Sequence, residues 1–174
     1  MELVCPSIKH KNSFIQAVKE YHAVDSDDRK DIYELKVEEL QNNFPSYISK
    51  LLSESQGKNL PEGYVPQTTY WLIDNNEFIG RVSIRHSLTE HLLKEGGHIG
   101  YDVRPSKRKM GYGTKILELS LSKAKKLGIH KILVTCNETN IGSKKIIEAN
   151  GGIFEDHLEL DEGKLAKLRY WITV

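Results

Sequence analysis

Residues 103–115 read VRPSKRKMGYGTK. A run with strand character ends at Pro105, passes through a burst of cations and reaches two glycines where a helical pattern begins. Arg104, Lys107, Arg108, Lys109 and Lys115 crowd the segment, with no acid between Arg104 and Lys115. A helix amino terminus carries unpaired N–H groups and the positive end of the dipole, so a loop entering it can hold an anion. Gly111 and Gly113 permit positive φ and let bare backbone approach a ligand. The competing reading is a solvated basic turn. Two common phosphate loops are excluded. A Walker loop ends in Lys-Ser/Thr after differently spaced glycines. A dinucleotide fingerprint requires a third glycine where this chain has Ile116. What remains is Val103-x-Pro105-x-x-Arg108-x-x-Gly111-x-Gly113.

Outward from this stretch, Ile116, Leu117, Leu121, Ala124 and Leu127 share one helical face, which predicts a helix over 113–127 closed by Gly128. It joins the strand-like HIGYDV (98–103) to KILVTC (131–136), and a second helix over 141–150 ends at Gly151. Upstream, TTYWLI and EFIGRVSIRH flank the turn DNN as a hairpin, and SLTEHLLKEGG (87–97) reads as a loop. Downstream, GGIFEDHLEL and LAKLRYWITV form a last pair around DEG. The chain opens with a short strand, ELVC, and an amphipathic helix carrying Phe14, Ile15, Val18, Tyr21 and His22. Two further helices, broken at Pro45, fill 25–63. They hold too few large apolar residues for a core of their own and so read as a layer on the main domain. The order β-α-α-α-β-β-β-α-β-α-β-β predicts one mixed α/β domain over 1–174.

The composition supports this. With 174 residues, 39% hydrophobic and 28% charged, the chain is long enough for one full core. A net charge of +1 gives no global field for nucleic acid or membrane, and no run is long enough to span a bilayer. Cys5 and Cys136 lack metal-ligand spacing and read as free thiols, so no metal is expected and the cytoplasm is the expected compartment.

The glycine motif resembles the central motif of the GNAT-type N-acetyltransferase superfamily. The segment ILVTCNETNIGSKKIIEANGG resembles that family's following strand and helix. Together they cover residues 98–152. The resemblance implies a mostly antiparallel central sheet, splayed between its fourth and fifth strands, with helices on both faces. It also implies acetyl-CoA as co-substrate and an amine acceptor attacking directly in a ternary complex. Carried over by position, the Val103 backbone lies beside pantetheine, and the amides of Lys109, Met110, Gly111, Tyr112, Gly113 and Thr114 hold the pyrophosphate. Arg108 orders the loop or reaches a phosphate. Asn140 and Ser143 line the pantetheine side, and Lys144 or Lys145 sits near the nucleotide. Asn140 reads equally well as a helix N-cap.

The acid and base are harder to place. The family's proton-donating tyrosine falls at Ile147, and its strand carboxylate or histidine falls at Gly97 or Ile99. His98, one residue out of phase, and His86, at the end of the preceding strand, are the candidate bases, ahead of Glu90 and Glu95. These gaps leave a non-catalytic acyl-CoA-binding module as the alternative. Segment 25–63 is the expected acceptor side, its acids Asp25, Asp27, Asp28, Asp31 and Glu34 suiting a cationic amine. The terminal strand KLRYWITV offers a homodimer contact if it lies at an edge.

Overall fold

A computed structural model of the chain describes residues 1–24, 30–160 and 163–174. Strand β1 (Glu2–Val4) leads to helix α1 (Lys11–His22), a short α2 (Lys30–Tyr33) and α3 (Val37–Ser55). Then come the hairpin β2 (Gln67–Asp74) and β3 (Glu77–Arg85), α4 (Glu90–Lys94) and β4 (Ile99–Val103). Helix α5 (Tyr112–Lys126), β5 (Lys131–Asn137), α6 (Ile141–Ala149), β6 (Ile153–Leu158) and β7 (Lys167–Thr173) complete the order. The hairpin turns at Asn75 and Asn76, both at positive φ (46° and 63°), which matches the twist of the two strands.

The strands form two antiparallel sheets, β1-β2-β3-β4 and β5-β7-β6. Strands β4 and β5 share no ladder. Just before β4 the chain is tied to β5, where His98 N–H donates to Leu133 C=O (2.8 Å) and Leu133 N–H donates to His98 Nδ1 (2.9 Å). The splay therefore lies between the fourth and fifth strands, as expected.

Each face has its own core. Helices α5 and α6 cover one, packing Ile116, Leu117 and Ile147 against Leu72, Val82, Ile84, Ile132 and Val134. On the other, α1 and α3 bring Phe14, Val18, Tyr21, Phe44 and Ile48 to Trp71 and Phe78. Phe14 stacks on Trp71 with ring centroids 4.6 Å apart, and burying each such ring contributes about 2–3 kcal/mol.

Three sequence expectations need correction. The break expected at Pro45 falls two residues earlier: α3 is two helical stretches that meet at Asn43, whose φ −139°, ψ 51° is not helical, and Pro45 sits just inside the second, where its missing N–H costs no helical bond. Within 87–97, Thr89 Oγ1 accepts from Leu92 N–H (3.2 Å) and caps α4, a helix too short to show a periodicity. Finally, β7 lies between β5 and β6, so the terminal strand has no edge to offer a second copy.

Candidate active site

Strand β4 hands the chain to a tight turn at Pro105–Lys107, then to the glycines. The two glycines do different work. Gly111 has φ +83°, and a Cβ there would meet no atom within 4 Å; the position needs glycine's conformation, not its smallness. At Gly113 a Cβ would stand 2.6 Å from Ile146 Cδ1, so this glycine lets α5 close on α6. The first bond closed into α5 is Lys115 N–H to Gly111 C=O (3.2 Å). Among the described residues, the six preceding amides, from Lys109 to Thr114, make no hydrogen bond within the protein. They form a run of donors at the positive end of a helix dipole.

Most of the cations that mark this stretch in the sequence are spent elsewhere. Arg104 is buried and grips Glu20 (2.6 Å) and Glu77 (2.9 Å), and Lys107 also pairs with Glu77 (2.7 Å). Burial alone would raise the Glu20 carboxyl, but hydrogen bonds from Arg104 and Ser106 outweigh it and hold it below its ordinary range. Lys115 pairs with Glu118 (2.7 Å). Arg108 donates from Nε to Val103 C=O (3.1 Å) and lies over the Tyr21 ring, folding the loop back on its strand. Tyr112 OH donates to Asp74 (3.0 Å), while Lys109 and Met110 are exposed.

The gap between β4 and β5 is open on its backbone side. Arg104 N–H donates to Ile79 C=O, so by strand alternation Gly100 and Asp102 also face β3. Ile99 and Tyr101 then turn their N–H and C=O groups toward the gap, and Val103 its N–H, its C=O being taken by Arg108. A cavity of about 290 Å3 runs through it. Tyr101, Cys136, Asn140 and Ser143 line the end beside α6. Here Tyr101 OH and Ser143 Oγ are 2.8 Å apart, and Asn140 Oδ1 accepts from Ser143 N–H (2.9 Å) as the α6 cap. Lys145 stands exposed on that helix.

The opposite end is lined by Gln67, Arg81, Ser83, Arg85, Thr135 and Lys167, side chains from four strands. Arg81 Nε lies 3.4 Å from Asp102, and Arg85 Nη1 donates to Gly96 C=O and Gly97 C=O, each at 3.0 Å. Lys167 donates to Asn137 Oδ1. The sequence reading missed this set. The signal was present in EFIGRVSIRH, where Arg81, Ser83 and Arg85 alternate onto one face of a strand that is otherwise apolar.

Neither candidate histidine is part of the cavity lining. His98 is buried, its Nδ1 committed to Leu133 N–H, and burial followed by nearby Arg85 holds its pKa below the ordinary value. His86 shares a 2.8 Å bond with Thr68 Oγ1, and burial lowers its pKa as well. Ile147 is fully buried in the core under α6. Glu95 pairs with Lys164 (3.0 Å), and Glu90 sits in the first turn of α4. Asp25, Asp27, Asp28 and the Asp31 side chain lie outside the described residues. Glu34 borders a separate hollow against α3, with Glu38, Glu39 and Lys50. No group of three metal-ligating side chains occurs among the described residues, and no described helix is long and apolar enough to cross a membrane.

The GNAT acetyltransferase domain matches residues 21–153. Among solved structures, the chain is similar to RimL, a ribosomal L7/L12 α-N-protein acetyltransferase in complex with coenzyme A. That match has a TM-score of 0.71 at 18% identity, covering 99% of this chain and 93% of the other. RimJ from Mycobacterium smegmatis, in complex with CoA-disulfide, gives 0.70 at 20% identity, covering 99% and 81%. The microcin C7 self-immunity acetyltransferase MccE, in complex with acetyl-CoA and AMP, gives 0.67 at 14% identity, covering 99% and 91%. No curated protein matches by sequence.

Proposed function

The chain belongs to the GNAT acetyltransferase family, and we propose how its cleft moves an acetyl group from acetyl-CoA to an amine acceptor. Acetyl-CoA supplies the thioester. The observation that carries the reading is the pairing of two sets of backbone donors: the amides from Lys109 to Thr114, and the edge of β4 that shares no ladder with β5. The first set suits a diphosphate and the second suits an extended chain bearing amides, so the two fit the two ends of one ligand. Arg108 orders the loop, Asn140 caps α6, Ser143 faces pantetheine, and Lys145 lies on the nucleotide side. Val103 N–H is turned to the gap and is the donor assigned to the thioester carbonyl oxygen.

With Ile147 buried, the Tyr101 hydroxyl is the group assigned to return a proton to the sulfur, since it reaches the α6 end of the cleft from β4. The amine enters from the opposite end. No histidine lines that end among the described residues, which favours acceptors that are already partly neutral. A peptide α-amine, with pKa about 7.7–8.0, meets that condition far better than a lysine side chain near 10.4. An α-amine is also the acceptor in the name of RimL. Two free cysteines suit a cytoplasmic setting.

The test is thiol release from acetyl-CoA with peptides offering only an α-amine or only a lysine amine, followed from pH 7 to 9. The α-amine peptides are expected to react at pH 7.5, with rates rising less than threefold above pH 8.5. A strong preference for lysine amines at pH 7.5 would require a base and overturn this account.

A further inference from the structure

Gln67 opens β2 at the end of the cleft away from α6 and is half-buried there. Its Nε2 donates to Glu54 Oε2 (3.0 Å), near the end of α3. An ionised carboxylate only accepts, so this partner fixes which edge of the Gln67 amide is nitrogen and which is oxygen. Glu54 is not part of the cleft lining, so the Nε2 edge is turned to α3 and the Oε1 edge is left to the cleft. Among the described residues, Oε1 accepts no hydrogen bond. The cleft thus contains an oxygen whose direction is set from outside it. Covering that oxygen with a bound molecule that offers no donor costs more than a satisfied bond returns.

We propose that Gln67 Oε1 takes a peptide N–H of the amine acceptor, the first one beyond the reacting α-amine, and that Glu54 is the positioning residue that keeps the oxygen turned toward it. This rests on the acetyl-transfer reading and deepens it: the acceptor is a peptide held by its main chain. The reacting amine must meet the thioester in the gap between β4 and β5, whereas β2 stands two strands back from β4. At about 4.8 Å per strand, the Gln67 backbone lies roughly 10 Å from the edge of that gap. Its side chain therefore suits an N–H behind the amine better than the amine itself. The helical segment 25–63 then serves the acceptor through Glu54 rather than through the acids near its start.

The experiment uses the full chain, acetyl-CoA and three acceptor mixtures. The first is short peptide amides randomised at the first residue. The second has the first peptide bond replaced by an ester, and the third has the α-amine methylated. Thiol release is followed at pH 9, where α-amines are mostly neutral and differences in their pKa matter little. The peptides are expected to exceed the esters in kcat/KM by about tenfold or more, because the ester leaves Oε1 without a donor. Gln67→Ala should bring that ratio below threefold while the rate on the esters stays within threefold, which a folding defect would not allow. Glu54→Gln still offers an oxygen to Nε2 and should keep the ratio. Glu54→Lys offers a donor instead, turns the amide over and should lose the ratio although Gln67 is present. Equal rates on peptides and esters, or a ratio that survives Gln67→Ala, overturn the assignment while leaving acetyl transfer intact. A ratio that falls alike in both Glu54 variants overturns the positioning role. A penalty confined to the methylated amine and abolished by Gln67→Ala overturns the peptide N–H in favour of the amine itself. If CoA binds and no mixture is acetylated, the peptide acceptor is wrong; if CoA does not bind, acetyl transfer is wrong as well.

Discussion

The two ends of the cleft are built from different materials. The α6 end and the glycine loop present backbone: a run of amides at a helix start and the edge of β4 that shares no ladder with β5. The opposite end presents charged side chains drawn from β3, β4 and β7. A backbone site is specified by conformation, so few residues fix it and those residues are neighbours in sequence. A side-chain site is specified by which strands lie next to each other, which a linear reading does not contain. The difference also fits the division of labour. The solved structures compared above share the coenzyme, held as CoA, as CoA-disulfide or as acetyl-CoA.

The sharpest way to break this contrast is at the glycines. Gly111→Val forces a β-branched residue to φ +83° and should displace the amides that follow, with little steric conflict elsewhere. Losing two or three charge-assisted hydrogen bonds predicts a fall in acetyl-CoA affinity of about 1000-fold, measured by calorimetry. Gly113→Ala should behave in the opposite sense. Its methyl group meets Ile146, so it should cost about 1–3 kcal/mol in a denaturant melt with a smaller change in affinity. Similar losses of affinity and stability in both variants would mean that the loop is a packing device throughout.

A smaller effect tests the α6 end. Tyr101→Phe should lower kcat about 100-fold if the hydroxyl returns the proton to sulfur. Ser143→Ala breaks the same 2.8 Å bond but leaves that hydroxyl in place, so it should retain most of kcat. Equal losses in the two variants would make the bond a structural clasp across the cleft.

How far the sequence could be read follows the same division. The strands, the two helices of the second half and the conformation of the glycine loop were legible because period, glycine spacing and caps are local properties. Gly111 and Asn140 do what their local context suggested, one adopting positive φ and the other capping α6. The cations around the loop misled because their partners come from afar: Glu20 lies in α1 and Glu77 beside the hairpin turn, and both neutralise charge that looked available in VRPSKRK. Arg81, Arg85 and Lys167 were illegible for the same reason, since only the pairing of Arg81 with Asp102 and the approach of β5 and β7 bring them together.

His98 tests the contrast most finely, because it is a side chain doing a backbone's job. Its Nδ1 takes the Leu133 N–H that a sheet ladder would otherwise satisfy, so it sets where the two strands part. Protonation removes that acceptor, and burial with nearby Arg85 already disfavours the charged ring. A folded pKa below the unfolded value of about 6.5 means the contribution to stability is complete above that pH. It is lost as pH falls through 6.5 toward the folded value, by up to about 1.4 kcal/mol per pH unit. His10 and His86 share the direction of shift, so the share belonging to His98 must be read by difference. Asparagine can offer an amide oxygen near the position of Nδ1 without titrating. His98→Asn should therefore flatten the decline in unfolding free energy between pH 7 and pH 5, while kcat/KM at pH 7.5 stays within about threefold. If the pH dependence of stability is unchanged and kcat/KM collapses instead, the ring acts on the acceptor amine as a base rather than on the strand junction.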